Sequence, residues 1–200
     1  NTEHLFDFSQ RFLDNEFPHC IEMARAFVQP KYQSAAGGRK ALFALDNLWD
    51  GIGGLIATDP TVKYLSGKVT IYSTSPEMSR KAMVYYLDMS FGDREGLITS
   101  KNPETCTPEQ IAFFKELFTG ADYKENYAIL NNYVKSLGDS IPPFIHLYIG
   151  LSPTMKTFGT TFDPDFGDCY DTAMIITTDD IYPDKYKRYV ESYEKCKVRK

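Results

Sequence analysis

The spacing of apolar residues changes several times along the chain and predicts an alternation of helices and strands. From Arg39 to Ala57 apolar residues recur at steps of three and four, which predicts a long amphipathic helix. The last turns of this helix contain Gly51, Gly53 and Gly54, although glycine weakens a helix. Three glycines at these positions suggest close packing against another element. From Lys68 to Tyr72 apolar and polar residues alternate, which is typical of a strand.

Caps and helix breakers mark the remaining elements. The run Thr107–Gln110 is a capping box and predicts a helix that continues to about Phe118. Ser75 is the predicted N-cap of another helix, with Pro76 at its first position. Helices are predicted at 5–17, 39–57, 75–90, 107–118, 122–138, 142–150 and 184–196, and strands at 21–28, 68–72, 157–162 and 172–178. This order of elements predicts the mixed α/β class.

The composition is typical of one folded domain. Hydrophobic residues make up 42% of the 200 residues and charged residues 24%, which argues against a disordered chain. The net charge of −5 gives no indication of a nucleic-acid partner. The four cysteines form no CxxC pair, so we expect free thiols in a reducing compartment and no metal site. No apolar run approaches the roughly 20 residues of a membrane span.

The segment Lys31–Lys40 joins the predicted strand 21–28 to the long helix and is rich in small residues. The backbone N–H groups at a helix N-terminus are suited to binding a phosphate, and small side chains let it approach the backbone. Arg39 and Lys40 add positive charge at the same place. An ordinary flexible loop before a helix explains the same residues, so the pattern alone leaves both interpretations open.

Glu22 and Arg25 are charged residues in an otherwise apolar predicted strand. Buried charges are costly unless they are paired, so both residues either have structural partners or line a site. In a site, the Glu22 carboxylate would accept a proton from an amine. Strict alternation places positions 22 and 25 on opposite faces of the strand, whereas a β-bulge would bring them to one side.

The segment Pro142–Phe158 combines prolines, aromatic residues, Met155 and His146. Such a surface can hold an acyl chain, but from the residues alone plain core packing is the favoured explanation. The chain contains neither a GxSxG motif nor an HxxxxD pair, so chemistry with a serine nucleophile has no support.

Four separated segments carry a resemblance to a known family. The run from Glu22 to Val28 resembles the E-x-x-R-x-x-V signature strand of a branch of the GNAT-fold N-acyltransferases. Phe43–Ile52 resembles the LW.GI helix of the hemolysin-like members of that branch, and Tyr64–Val69 resembles the YLFG motif that begins their next strand. Residues 141–155, 158–159 and 165–168 resemble their C-terminal block. The likeness is to ornithine-lipid and glycine-lipid N-acyltransferases, which are related to acyl-homoserine-lactone synthases and N-acyl amino acid synthases.

The resemblance implies a GNAT fold, in which a mixed central sheet is flanked by helices. The strand at 21–28 would be the fourth of that sheet, and the strand at 68–72 would be the fifth, splayed from it. We expect one acyltransferase domain over 1–200 with a helical insertion at 92–140. The elements that the family carries ahead of its signature strand are missing before Glu22, so we expect an N-terminally incomplete domain whose activity alone is in question.

The resemblance also implies the parts of a site. Glu22 would accept the proton of the attacking amine, and Arg25 would hold Glu22 or bind the carboxylate of the acceptor. The acyl chain would lie along Phe144, Tyr148 and Met155. The phosphate of the donor would rest on the loop formed by Gln33, Ser34, Ala35, Ala36, Gly37, Gly38 and Arg39.

The loop departs from the family pattern Q/R-x-x-G-x-G/A, because Ala36 stands in the first glycine place. This departure favours a donor on acyl carrier protein, whose phosphopantetheine arm carries a single phosphate, over acyl-CoA. In either case the thioester is a substrate, and we expect no tightly bound cofactor.

The predicted function is transfer of a (3-hydroxy)fatty acyl group to the α-amino group of an amino acid of the glycine or ornithine type, in aminolipid synthesis. The expected partners are acyl carrier protein and the amino-acid acceptor, in the cytoplasm, with peripheral contact at the inner membrane left open. One alternative is an enzyme like the acyl-homoserine-lactone synthases, with S-adenosylmethionine as the acceptor. The other is a non-catalytic module that binds acyl groups or the carrier protein.

Overall fold

The structure is a computed structural model that describes residues 2–24, 29–30 and 44–193. Six strands are present in this part of the chain: β1 (Phe6–Phe8), β2 (Cys20–Met23), β3 (Tyr64–Ile71), β4 (Ile98–Ser100), β5 (Lys156–Asp163) and β6 (Cys169–Thr177). The described α-helices are α1 (Gln10–Asn15), α2 (Ala44–Thr58), α3 (Glu77–Phe91), α4 (Pro108–Leu117), α5 (Tyr123–Ser136), α6 (Pro143–Ile149) and α7 (Pro183–Tyr186).

The main sheet has four strands in the order β2–β3–β6–β5. Strand β2 pairs parallel with β3, whereas the β3–β6 and β6–β5 pairs are antiparallel. The sheet is therefore mixed, and helices pack against it. This arrangement confirms the predicted mixed α/β class and is compatible with the GNAT-like fold that the resemblance implies.

The two faces of the sheet pack against different parts of the chain. Strand β3 alternates strictly, with Leu65, Val69 and Ile71 buried on one face. That face joins a core formed with residues of helices α2, α3, α5 and α6. The opposite face of β6, which presents Ala173 and Ile175, packs with the N-terminal segment and with β4. The sheet thus has a helical face and an N-terminal face.

The prediction of one helix over 5–17 is wrong. The first part of the segment is strand β1, which pairs antiparallel with β4. The Ser9 hydroxyl then accepts a hydrogen bond from the Phe12 backbone and begins the short helix α1. A 3-10 turn at Phe17–His19 follows. The strand depends on a partner about ninety residues away, which the local apolar spacing does not reveal.

Most other predicted elements are present, with shifted ends. The capping box at Thr107 is confirmed, and Gly138, with φ +74°, follows helix α5. The predicted cap at Ser75 is wrong, since helix α3 begins after Pro76 without a side-chain capping bond. Strand β3 begins at Tyr64 rather than at Lys68.

Several predictions lie partly outside the described residues. Of the predicted strand 21–28, residues 25–28 are not described, and of the helix 39–57 the described part is Ala44–Thr58. The C-terminal helix is seen as Pro183–Tyr186, followed by a π-helical turn at Lys187–Glu191. The segment 92–140 contains strand β4 as well as helices α4 and α5, and its origin as an insertion stays a prediction.

Glycine in helix α2 allows the close packing that the sequence suggests. A Cβ atom on Gly53 would overlap the backbone carbonyl of Tyr189, whereas a Cβ on Gly51 would meet nothing within 4 Å. We therefore expect Gly53→Ala to lower the free energy of unfolding by about 1–3 kcal/mol, because backbone has to move. Gly51→Ala, at an exposed helical position, should raise it by about 0.5–1 kcal/mol. Urea unfolding of both variants measures the difference, and equal effects would contradict this packing.

Candidate active site

In the part of the chain that the structure describes, strand β2 pairs with only the first half of strand β3. The pairing runs from Cys20 opposite Tyr64 to Met23 opposite Gly67, and β3 then continues to Ile71. Ala24 no longer belongs to strand β2. The resemblance also implies that the thioester arm of the donor lies between these two strands, where they splay apart beyond the end of the pairing. The splaying of the two strands beyond it stays a prediction.

A tyrosine hydroxyl approaches this point from the helical face. A Cβ atom on Gly67 would overlap the hydroxyl oxygen of Tyr148 and would lie 3.2 Å from the carbonyl oxygen of Met23. Helix α6 carries Tyr148, and the Tyr148 ring packs edge-on against Trp49 of helix α2, with ring centroids 5.7 Å apart. Glycine at position 67 therefore makes room for the Tyr148 hydroxyl at the end of the β2–β3 pairing.

The environment of Tyr148 keeps its hydroxyl protonated. The residue is only 4% exposed, and burial raises the pKa of its hydroxyl well above the ordinary value. Among the described residues, none accepts a hydrogen bond from this hydroxyl. A neutral O–H group without an acceptor, held at the edge of a strand pair, is a donor that a ligand can use.

The structure brings the three predicted acyl-binding residues into one core. Met155 is buried, and Phe144 is half-buried against the same cluster as Tyr148. Phe144 and Tyr148 lie one turn apart on helix α6. Contact of these three side chains with an acyl chain stays a prediction, since core packing already accounts for their burial.

Glu22 lies at the same end of the pairing, on the opposite face of the sheet. Its register partner is Ser66, whose side chain alternates away from the helical core. The Glu22 side chain is exposed, and its Oε1 accepts a hydrogen bond from the Thr2 hydroxyl. Glu22 and the Tyr148 hydroxyl thus approach the end of the β2–β3 pairing from the N-terminal face and the helical face respectively.

The remaining predicted site residues lie outside the described part of the chain. They are Arg25 and the proposed phosphate loop, which comprises Gln33, Ser34, Ala35, Ala36, Gly37, Gly38 and Arg39. Their assignments stay predictions.

A charged cluster on the Glu22 face was not predicted from the sequence. The Lys68 ammonium lies 2.7 Å from Asp171 Oδ2 and 3.8 Å from Asp163 Oδ2. The Thr70 hydroxyl donates to Asp171 Oδ1 over 2.7 Å, and His4 Nε2 lies 3.5 Å from Asp163 Oδ2. Both aspartate side chains are only 2% exposed. Lys68 and Asp171 are charged residues at the starts of apolar segments, and this is the sequence signal that could have identified them.

The described cysteines are poor nucleophiles. Burial raises the pKa of the thiols of Cys20 and Cys106. Burial, together with the carboxylates of Asp171 and Asp163, raises the pKa of Cys169 to about 11. Since the thiolate is the reactive form, these three side chains give no support for a covalent acyl-enzyme.

The described part of the chain contains neither a metal-binding cluster nor a membrane-spanning helix. Within residues 2–24, 29–30 and 44–193, no group of three or more His, Cys, Asp or Glu side chains is placed to hold a metal ion. None of the helices in the same ranges has the length and apolar character needed to cross a membrane.

A separate surface pocket of about 290 Å³ lies between helices α5 and α6 and the start of α7. Aromatic side chains and one ammonium form most of its wall: Tyr123, Lys124, Tyr127, His146 and Tyr182. None of these residues belongs to the site at the β2–β3 pairing.

Comparisons with known proteins point to acyl transfer. The chain is 43% identical over 195 residues to a protein of Phocaeicola vulgatus named "Glycine N(alpha)-acyltransferase", with 97% of this chain and 59% of that protein covered. It is also 43% identical over 195 residues to a protein of the same name from Bacteroides thetaiotaomicron, with 96% of this chain and 57% of that protein covered. The chain therefore spans less than two thirds of the length of these curated relatives. No family model and no solved structure matches it.

Proposed function

We propose that the chain forms the catalytic part of an N-acyltransferase that moves a fatty acyl group from a thioester to the α-amine of an amino acid. The observation that carries the proposal is the convergence of Glu22 and the Tyr148 hydroxyl on the end of the β2–β3 pairing, from opposite faces. The similarity to two proteins named for acyl transfer to glycine supports it. Glycine is therefore the first acceptor to test.

The geometry suits direct transfer without an acyl-enzyme. The amine nitrogen attacks the thioester carbonyl carbon, a C–N bond forms, and the C–S bond breaks to release a thiolate. Glu22 accepts the proton that the attacking nitrogen loses. The amine approaches from the N-terminal face, where Glu22 lies, and the acyl chain extends toward the helical face, where Phe144 and Met155 contribute to the core.

Tyr148 stabilises the charge that develops on the leaving group. Free thiols have a pKa of about 8.5 and tyrosine about 10, and burial raises the pKa of Tyr148 further. The hydroxyl therefore keeps its proton and donates a hydrogen bond to the sulfur as negative charge builds up there. The thiolate takes its proton from solvent or from the protonated Glu22.

The sequence of the proposed phosphate loop favours one kind of donor. Only one phosphate has to be bound when the thioester is carried by acyl carrier protein, and Ala36 in a glycine place is compatible with that smaller demand. We propose a 3-hydroxyacyl carrier protein as the donor, and N-acylglycine or N-acylornithine as an intermediate of aminolipid synthesis. Work on a carrier-protein thioester would place the protein in the cytoplasm, with its lipid product delivered to the inner membrane.

Replacing Tyr148 by phenylalanine should lower kcat about 10- to 100-fold, because the transition state loses one hydrogen bond to a charged group. Stability should change little, because the hydroxyl has no hydrogen-bond acceptor among the described residues. Release of free thiol and thermal unfolding measure the two effects. Tyr127→Phe is the matched control, since Tyr127 is a partly buried tyrosine whose pKa burial also raises and which lines the separate pocket. Unchanged kcat in Tyr148→Phe would remove the hydroxyl from the mechanism.

The proposed function is tested by product formation. The chain, and a version extended at its N-terminus, are incubated with a 3-hydroxyacyl carrier protein or with acyl-CoA and with glycine, ornithine and S-adenosylmethionine. Mass spectrometry should detect an N-acyl amino acid, from glycine first. Product from S-adenosylmethionine alone would indicate the acyl-homoserine-lactone type of reaction. Carrier protein bound without any product from either version would refute the enzyme and favour a binding module.

A further inference from the structure

Lys68 lies on the same face of the sheet as Glu22 and close to it. Glu22 is in register with Ser66, and Lys68 is two residues further along the same face of β3. Two residues of a strand span about 6.7 Å and neighbouring strands lie about 4.8 Å apart, so the Cα atoms of Glu22 and Lys68 are roughly 8 Å apart. A carboxylate and a lysine therefore project from the same face of neighbouring strands, near the end of the β2–β3 pairing.

The Lys68 ammonium is fixed from one side. Asp171 accepts one of its hydrogen bonds at 2.7 Å, whereas the Asp163 oxygen, at 3.8 Å, is beyond hydrogen-bond distance. The Thr70 hydroxyl holds the second oxygen of Asp171 in place. An ammonium has three donors, and the Lys68 side chain keeps 20% of its surface exposed while both aspartates are buried. Within the described residues, only Asp171 lies within hydrogen-bond distance of this ammonium, so donors of Lys68 remain for a ligand on the Glu22 face.

The charges of this face match those of a zwitterionic amino acid. The amine of an α-amino acid and its carboxylate are separated by a single carbon atom. With a hydrogen bond of about 2.9 Å at each end, such a molecule would span about 8–9 Å, which is similar to the separation of the Glu22 and Lys68 Cα atoms on this face. Such a zwitterion has no net charge, whereas a simple anion would add negative charge beside the two buried aspartates.

We propose that Lys68 binds the carboxylate of the amino-acid acceptor while Glu22 takes its amine, with Asp171 and Thr70 as positioning residues for the ammonium. This inference rests on the proposed N-acyltransferase function and adds the residue that selects α-amino acids. The resemblance left carboxylate binding as one of two roles for Arg25. Lys68 needs no bulge to share a face with Glu22, whereas strict alternation puts position 25 on the opposite face. Arg25 then keeps the other role, which is to hold Glu22.

The test compares glycine with glycinamide, which has the same amine and no carboxylate, in whichever form of the protein yields product. The unmodified protein should show a kcat/KM for glycine about 10- to 100-fold higher than for glycinamide, as expected for a hydrogen bond between charged groups. In the Lys68→Met variant this preference should disappear, because kcat/KM falls for glycine alone. The fall should come chiefly from a higher KM for glycine. Lys68→Arg, which keeps a positive charge next to Asp171, should retain part of the preference. Lys101→Met is the matched control, since Lys101 also pairs with an aspartate, Asp7, and should leave both substrates unaffected.

The possible results distinguish the proposed role of Lys68 from the proposed N-acyltransferase function. An equal loss for glycine and glycinamide in Lys68→Met would mean that Lys68 has only a structural role, and would overturn the inference. An absent preference for glycine in the unmodified protein would overturn it too. A failure to acylate either amine would refute the proposed function instead. In that case NMR titration with glycine still tests the inference, which predicts binding that Lys68→Met abolishes and which fails if the unmodified protein binds no glycine.

Discussion

Replacing Glu22 by glutamine is expected to lower kcat/KM for N-acylation by about 10²- to 10⁴-fold, the usual contribution of a general base. The amide of glutamine cannot accept the proton that the attacking amine has to lose. Folding should be unaffected, because the side chain is exposed and an amide oxygen still accepts the hydrogen bond from Thr2. Turnover measured with a saturating thioester, beside a thermal unfolding curve, separates the two effects.

Glu116→Gln provides the control for this experiment. Glu116 is an exposed carboxylate on helix α4, remote from the β2–β3 pairing, so its replacement changes the net charge by the same amount. Turnover of that variant should match the unmodified protein. Near-normal turnover in Glu22→Gln would exclude Glu22 as the proton acceptor and leave the site without its base.

Replacing Asp171 by alanine is expected to lower the free energy of unfolding by about 3 kcal/mol, the low end for breaking a buried ion pair. Asp171 is the hydrogen-bonded partner of the Lys68 ammonium and the acceptor for Thr70, so its loss leaves both donors unsatisfied. Asp163 compensates only in part, since its oxygen lies 3.8 Å from the ammonium. Urea unfolding with an unchanged m-value measures the effect.

The control for Asp171 is an ion pair of the same chemistry at the surface. Asp7 lies 3.5 Å from Lys101, with 73% of its side chain exposed, and Asp7→Ala should cost about 0–1 kcal/mol. The double variant Lys68→Met/Asp171→Ala should be less destabilised than the sum of its single variants, because no charge is then left unpaired. Additive effects would show that Lys68 and Asp171 do not stabilise each other.

Elements with local signals could be predicted from the sequence. The capping box at Thr107 needs only residues within one turn, and the helix begins where this signal places it. The strand Phe6–Phe8 could not be predicted, because its partner is Ile98–Ser100 and three residues carry too short a pattern. The apolar spacing of the surrounding segment is equally compatible with a helix, and tertiary pairing decided the outcome.

The site residues also differ in whether the local sequence is enough to identify them. Glu22 could be identified because a carboxylate interrupts an apolar strand, and the family signature begins at the same residue. The Lys68 cluster joins side chains from β3, β5 and β6, and Lys68 is about a hundred residues from both aspartates. The position of the Tyr148 hydroxyl depends on Gly67, which nothing in the sequence links to helix α6.

The central claim is that acyl transfer takes place at the end of the β2–β3 pairing. A crystal structure of the protein with a non-hydrolysable acyl-pantetheine thioether and glycine tests it most directly. We predict that the sulfur lies between the Met23 backbone and the Tyr148 hydroxyl, with the glycine amine at Glu22. A thioether bound elsewhere, for example in the pocket lined by Tyr123 and Tyr182, with the β2–β3 site empty, would contradict the claim.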